Sequence, residues 1–427
     1  MKDLEQYRLK INEIDEEMAR LFCERMQCAK KIGEYKKEKG LPVFDKMRES
    51  FLIEKNLAFI MEQDLKAYYV DFLKETMEIS KRYQRSLFED PEVIHMDLKE
   101  DGYDIVVKHF ALDELNTQLN LNRKVLIVTD SGVPFSYVKK VEEQSKEPVV
   151  EVLPMGEKSK NFSNYERLLK RMLKEGFTRE DCVVAIGGGV VGDLAGFAAS
   201  TYMRGIEFYN IPTTFLAQVD SSIGGKTAID FSGVKNMVGA FYQPAKVIVD
   251  PEVLKTLEQR QLASGLAEAV KMALTFDEEL FRLFETEQIE EHLDEIIVRS
   301  LKIKKWVVEQ DEKEGGLRRI LNFGHTLGHG IESEKEGTLY HGECVALGMI
   351  PMCHDRIRGR LIKVMEKLNL PVRVSFPKKK VMEAVKHDKK ATGTKVRIIK
   401  VNSIGSYEIS EADEGQLEDL ISILEEQ

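Results

Sequence analysis

The chain is poor in the residues that mark several classes of protein. Its 427 residues include five cysteines, Cys23, Cys28, Cys182, Cys344 and Cys353, and no two of them form a C-x-x-C pair. That spacing excludes a zinc ribbon and offers no disulfide framework. No apolar run approaches the roughly 20 residues needed to cross a bilayer, so no membrane partner is expected. Cations are in deficit, with 63 Lys and Arg against 73 Asp and Glu, for a net charge of −10. A nucleic-acid partner demands a basic face and is not expected either. Any anionic ligand has to be held by a local cluster of cations. The charged opening Met1-Lys2-Asp3-Leu4-Glu5 starts a helix pattern rather than a signal peptide. With the scattered cysteines, it predicts a reducing cytoplasm.

Glycine and proline are nearly absent from the first 89 residues, which hold only Gly33, Gly40 and Pro42 of the 29 glycines and 11 prolines. Both residues oppose helix formation, so this segment is expected to be helical. Phe88-Glu89-Asp90-Pro91-Glu92 is the expected boundary, because proline disfavours helix in the residue before it. The segment carries a heptad: Leu4, Ile11, Met18, Arg25 and Ile32 share one position, and Tyr7, Ile14, Leu21, Cys28 and Tyr35 another. One helix is predicted from about residue 4 to Lys39, stopped by Gly40-Leu41-Pro42, with two more over roughly 46–60 and 66–88. At about 1.5 Å per residue the first is on the order of 50 Å long. So short a segment cannot cover it, and dimerisation through it is expected.

The rest of the chain reads differently. Val125–Asp130, Val183–Ile186 and Gly205–Pro212 are strand patterns separated by helical ones, as in a parallel α/β sheet. From about Pro251 the pattern is mainly helical. Three domains are expected: 1–90 all-helical, 91–250 α/β, and 251–427 mainly helical.

Arg25 occupies an apolar heptad position. Alone it reads as a register-setting residue or a snorkelling stem. It is accompanied by Arg8 and Lys36 flanking the same seam, by Asp45, Arg48 and Glu49 opening the second helix, and by Ser80 and Gln84 four apart on the third. This set resembles the active site of the all-helical chorismate mutases over nearly all of residues 1–88. The resemblance implies two subunits intertwined along the first helix, with Arg8 entering the partner's site. It also implies that Arg8 and Arg25 bind the substrate's two carboxylates while Arg48 frames the pocket. Lys36 and Gln84 would donate to the ether oxygen, and Glu49 would accept the ring hydroxyl. Chorismate to prephenate is a one-substrate rearrangement, so orientation and charge stabilisation suffice.

Ile186-Gly187-Gly188-Gly189-Val190-Val191-Gly192-Asp193 matches G-x-G-x-x-G after a strand, which suits a pyrophosphate at a helix N-terminus. It also reads as a tight strand–helix turn, and it follows a later strand than the dinucleotide pattern has it. Asp130, ending an earlier strand, is the better ribose partner. Three of eight histidines fall between 325 and 341. His325 and His329 are four apart on one helical face, and Thr326 stands where a zinc protease has glutamate. Glu268 with two histidines would make an open metal site, although a lone histidine is more often just hydrogen-bonded.

Together, Gly187–Asp193, Met203-Arg204-Gly205, Pro212-Thr213-Thr214, Gln218–Ser222, Gly224–Thr227, Lys235-Asn236-Met237, Gly265–Lys271, Asn322–His329 and His341-Gly342-Glu343 resemble dehydroquinate synthase from about residue 100 onward. The resemblance implies that Glu268, His325 and His341 bind zinc or cobalt. Gly188, Gly189, Asp193, Thr213, Thr214, Asp130, Glu157, Lys160 and Thr256 would contact NAD, with Asp220, Lys226 and Lys235 shared between cofactor and substrate. Asn236, Lys271, Lys304, Arg318, Asn322, His329 and Lys389 or Lys390 would surround a sugar acid phosphate. Arg204 would reach its phosphate from a neighbouring subunit. The fold implied is multidomain: a three-helix mutase, then an α/β NAD-binding domain and a helical metal and substrate domain, as a homodimer or higher oligomer. Two alternatives stay open. The large part could be a related sugar-phosphate cyclase, and the helical part could be a sensor of chorismate or prephenate.

Overall fold

The computed structural model describes residues 2–88, 90–99, 101–335, 337–388 and 395–424. The chain divides into two compact units, Met1–Pro91 and Glu92–Gln427.

The first unit is three helices: α1 (Lys2–Lys39), α2 (Lys46–Leu57) and α3 (Lys66–Phe88). Asp45 caps α2 by accepting from the Arg48 amide, which satisfies one of the orphan donors of the first turn. Only the C-terminal half of α1 packs on α3, through Ala29 and Gly33. A Cβ at Gly33 would lie 2.5 Å from the Phe88 ring. Apart from Arg25, the heptad stripe points elsewhere. Leu4, Ile11, Met18, Leu21 and Ile32 are all exposed within the single chain.

The second unit is built on a seven-stranded sheet. Its strands are β1 (Glu92–Met96), β2 (Tyr103–Val107), β3 (Lys124–Asp130), β4 (Glu147–Leu153), β5 (Cys182–Gly187), β6 (Glu207–Pro212) and β9 (Lys246–Val249), in the order β1-β2-β9-β6-β5-β3-β4. All pairings are parallel except β1 with β2. The fully buried runs of β3 and β5 are what a sheet covered on both faces requires. The chain lays β4 outside β3 and then returns to place β5 on the other side of β3. The order therefore reverses at the β3–β5 pair, where open α/β sheets bind ligands. Asp130 ends β3 and the glycine loop follows β5, so the two meet at this point.

The hairpin of β7 (Lys226–Phe231) and β8 (Val234–Phe241) was not foreseen from the sequence, nor was that of β10 (Val396–Lys400) and β11 (Glu408–Ala412) inside the mainly helical part. The helical lobe and the β1–β2–β9 edge share one continuous apolar core, from Ile94 and Met96 through Leu266 and Phe281 to Leu361. Residues on either side of 250 are thus lobes of one body.

Candidate active site

A cavity of about 560 Å³ lies between the β7–β8 hairpin and the helical lobe. Its lining includes Asp193, Asp220, Lys226, Asn236, Lys271, Lys304, Arg318, Asn322, His325, His329 and His341. Residues from seven separate sequence blocks, together with Lys304 and Arg318, therefore converge on one space, in a chain whose net charge is negative.

Behind the lining residues His325 and His341 stands Glu268, fully buried on the helix Gln259–Phe276. Its Oε1 has no hydrogen bond and faces His325 Nε2 at 3.6 Å and His341 Nε2 at 3.5 Å. An oxygen aimed at two imidazole nitrogens makes a donor set of the type that holds a divalent cation. Lys271, one turn on, forms a buried ion pair with Glu268. Burial opposes ionisation of Glu268, yet Lys271 and the histidines hold it well below the usual carboxylate range. Burial pushes His325 down to about 3, reinforced by Lys271. Burial works the same way on His341, but Glu268 and Glu332 lift that ring to about 10.

Opposite these residues, Lys304 reaches from the helix Leu293–Gln310 to the Asp220 carboxylate and its backbone oxygen. Burial lowers Lys304 to about 8, helped by Arg318 and Lys271 and opposed by Asp220. Lys226 pairs with Glu314, which also accepts from Asn322 Nδ2 at 3.3 Å. Lys160 is buried against Asp193 and Asn236.

The glycine loop opens the helix Gly189–Thr201. A Cβ at Gly189 would come 2.8 Å from Ser221 Oγ, and one at Gly188 would press on Thr214. Glycine is therefore required for a cradle of backbone amides at the helix N-terminus. Thr213 is tied to the loop by its amide, 2.9 Å from Gly187 O. Asp130, raised by burial, faces its own turn through the Gly132 amide. Glu157, Thr213, Thr214, Thr256, Asp130 and Lys235 lie outside the cavity lining, as does Arg204. Arg204 is exposed on a turn where it and Met203 take left-handed backbone at φ 71° and 49°, a costly conformation for side-chain-bearing residues.

In the helical unit, Arg25 donates to Ser80 Oγ and to Thr76 O, and Lys36 Nζ donates to Val43 O at 2.6 Å. Glu49 pairs with Lys81 at 2.9 Å. Gln84 is buried with Nε2 on Ser80 O and Oε1 unpartnered. Arg48 lies over the Phe51 ring. Arg8 is exposed near the far end of α1, 17 positions before Arg25 and so about 25 Å away along the axis. The two cannot meet within one chain.

Residues 150–264 and 265–391 match the family models for the N-terminal and C-terminal parts of 3-dehydroquinate synthase. The 3-dehydroquinate synthase of Streptococcus sanguinis is 42% identical over 339 residues, which cover 74% of this chain and 96% of that protein. The chain belongs to the 3-dehydroquinate synthase family. Residues 7–85 match the chorismate mutase type II model, so the protein is a fusion of a chorismate mutase domain with a dehydroquinate synthase, two enzyme modules of aromatic biosynthesis. The 2-epi-5-epi-valiolone synthase of Streptomyces hygroscopicus, solved with NAD+ and Zn2+, is 28% identical with a TM-score of 0.71, covering 77% of this chain and 98% of that one. A 2-deoxy-scyllo-inosose synthase solved with carbaglucose-6-phosphate, NAD+ and Co2+ shares the fold, at 22% identity and a TM-score of 0.71 over 77% of this chain and 99% of that one.

Sequence reasoning missed three residues of the synthase and mutase sites. Glu314 lines the cavity, Glu332 bonds His341, and Lys81 joins Glu49 and Glu78. Glu332 shares a helical face with His325 and His329, a signal the sequence did carry, whereas Glu314 and Lys81 are marked only by their partners. Lys389 and Lys390 fall outside the described residues.

Proposed function

We propose that the second unit converts 3-deoxy-arabino-heptulosonate 7-phosphate to 3-dehydroquinate and phosphate, and that the first rearranges chorismate to prephenate. The observation that carries the synthase reading is a cation-lined cavity in which His325 and His341 line the wall and the buried Glu268 lies within ligand distance of both. Those three residues would hold zinc or cobalt, which supplies polarisation of neighbouring hydroxyls. NAD would lie over Gly188 and Gly189 with its ribose toward Asp130, supplying a hydride acceptor that is regenerated within the turnover.

The chain's own groups account for the rest. Lys226, Lys271, Lys304 and Arg318 are suited to a substrate carrying both carboxylate and phosphate. Asp193, the buried Lys160 and Asn236 form one polar network linking the glycine loop's helix to the β7–β8 hairpin. Asn322 and His329 offer donors at the cavity surface, with Asp220 holding Lys304 in place. Glu157, Thr213, Thr214, Thr256 and Lys235 remain assigned to the nucleotide side. Arg204, outside the cavity of its own chain, would serve a neighbouring one.

For the mutase, Arg25, Lys36, Arg48 and Gln84 would bind and orient the dianion, with Asp45, Glu49 and Ser80 fixing their positions. Arg8 would come from a second subunit laid along the exposed stripe of α1. The protein is thus read as a cytoplasmic homodimer or larger homo-oligomer. Among the described residues no helix is long and apolar enough to cross a membrane.

The test is a pair of assays on the full chain and on Arg25→Ala. Loss of chorismate consumption by about 10²–10³-fold, with dehydroquinate formation kept, is the expected result. A parent that leaves chorismate untouched, while prephenate alters its synthase rate, would instead make the first unit a sensor.

A further inference from the structure

The motif Asn322–His329 ends three residues before Glu332, and no role in the synthase reading falls to that residue. The helix His325–Glu334 nevertheless brings it to the site. Positions 325, 329 and 332 follow the i, i+4, i+7 repeat of one helical face. Its two carboxylate oxygens are divided between two partners from different elements. Oε2 lies 2.9 Å from His341 Nδ1. Oε1 accepts from Lys235 Nζ at 2.6 Å, and Lys235 belongs to β8, in the hairpin that forms the opposite wall of the cavity.

The consequence for His341 is geometric. An imidazole whose Nδ1 proton is given to a carboxylate presents Nε2 as its lone pair and cannot rotate without losing that bond. Here Nε2 is the nitrogen that faces Glu268. Lys235, in turn, is anchored to the same carboxylate. The hairpin and the histidine are therefore connected through one side chain that itself does not line the cavity.

We infer that Glu332 is a positioning residue that fixes the ring of His341 for metal binding and ties the β7–β8 hairpin to it. This rests on the reading of Glu268, His325 and His341 as the metal site. An ion pair with Lys235 alone would be a purely structural feature, and removing Lys235 would then mimic removing Glu332.

The experiment measures zinc affinity of the full-length protein by competition with a chromophoric chelator, together with the visible spectrum of the cobalt-loaded form. The variants are Glu332→Gln, Glu332→Asp, Lys235→Met and His325→Ala. Glu332→Gln is expected to weaken zinc binding by about 10–100-fold, the usual effect of losing a carboxylate behind a ligating histidine, and to change the cobalt spectrum. Lys235→Met is expected to leave both unchanged. Equal zinc affinity in Glu332→Gln and the parent, or equal weakening in Glu332→Gln and Lys235→Met, overturns the inference. If Glu332→Gln does not fold, Glu332→Asp decides: weaker zinc binding supports the role, and parental binding overturns it. Zinc uptake by His325→Ala that matches the parent's would overturn the three-ligand site, and this inference with it. Uptake lost in His325→Ala but intact in Glu332→Gln overturns only the inference.

Discussion

In the helical unit Leu4, Ile11, Met18 and Ile32 are 45–55% exposed, whereas in the larger unit Leu126, Ile127, Val183 and Val184 on the central strands are completely buried. The same contrast holds for the polar residues. Arg8 projects from one end of α1, out of reach of Arg25, while Glu268, His325 and His341 come from three helices and meet inside one chain. A long helix offers one face to its own α3 and cannot cover the other. A sheet with layers on both faces encloses its own core. The mutase site is therefore expected to be completed by a second copy, while the metal site of the synthase is assembled within a single unit.

The largest effect should come from His325→Ala. We predict that dehydroquinate formation and bound metal are lost together while chorismate turnover stays at the parental level. Parallel loss of both activities would show that the two units depend on each other.

Next in size is a complementation test of the shared mutase site. Arg8→Ala and Arg25→Ala are each predicted to be inactive on chorismate. After the two are unfolded and refolded together, half the dimers are mixed, and each mixed dimer holds one intact site, so about a quarter of parental activity should return. A mixture as inactive as its components would mean that Arg8 does not cross to a partner.

The smallest effect is a difference in pH response. Lys304, lowered to about 8 by burial, loses its charge within the working range. The KM of the synthase for its anionic substrate is predicted to rise severalfold as pH passes 8, with kcat less affected and Lys304→Met abolishing the trend. The sign for folding is opposite. The unfolded lysine keeps its proton to about 10.5, so the unfolded state binds more protons between 8 and 10.5 and stability grows with pH there. Chorismate turnover should stay flat between about pH 6 and 9, since the Gln84 amide does not ionise. A mutase rate falling in step with the synthase would contradict that role for Gln84.

The heptad, the strand–glycine–helix pattern and the i, i+4 histidines were legible in the sequence because each depends on a local period of the backbone. They located α1, β5 with its glycine loop, and the helix that carries His325 and His329. Both hairpins escaped notice. The exposed β8 and the β11 edge lack the apolar alternation that marks a half-buried strand. Glu314 was missed because a single glutamate has no period and is recognised only by what it touches, whereas Glu332 does share the helical face of His325 and His329.

By itself, then, the sequence determined the long first helix, the central strands around the glycine loop, that anions must be met by local cations, and which residue types could do the chemistry. Tertiary structure alone decided that β5 lies beside β3, bringing Asp130 to the glycine loop. It decided too that Glu268 faces His325 and His341, and that Glu332 reaches both His341 and Lys235. Those relations link residues far apart in the chain, and they arise from packing one element's buried face against another's, which no local pattern encodes.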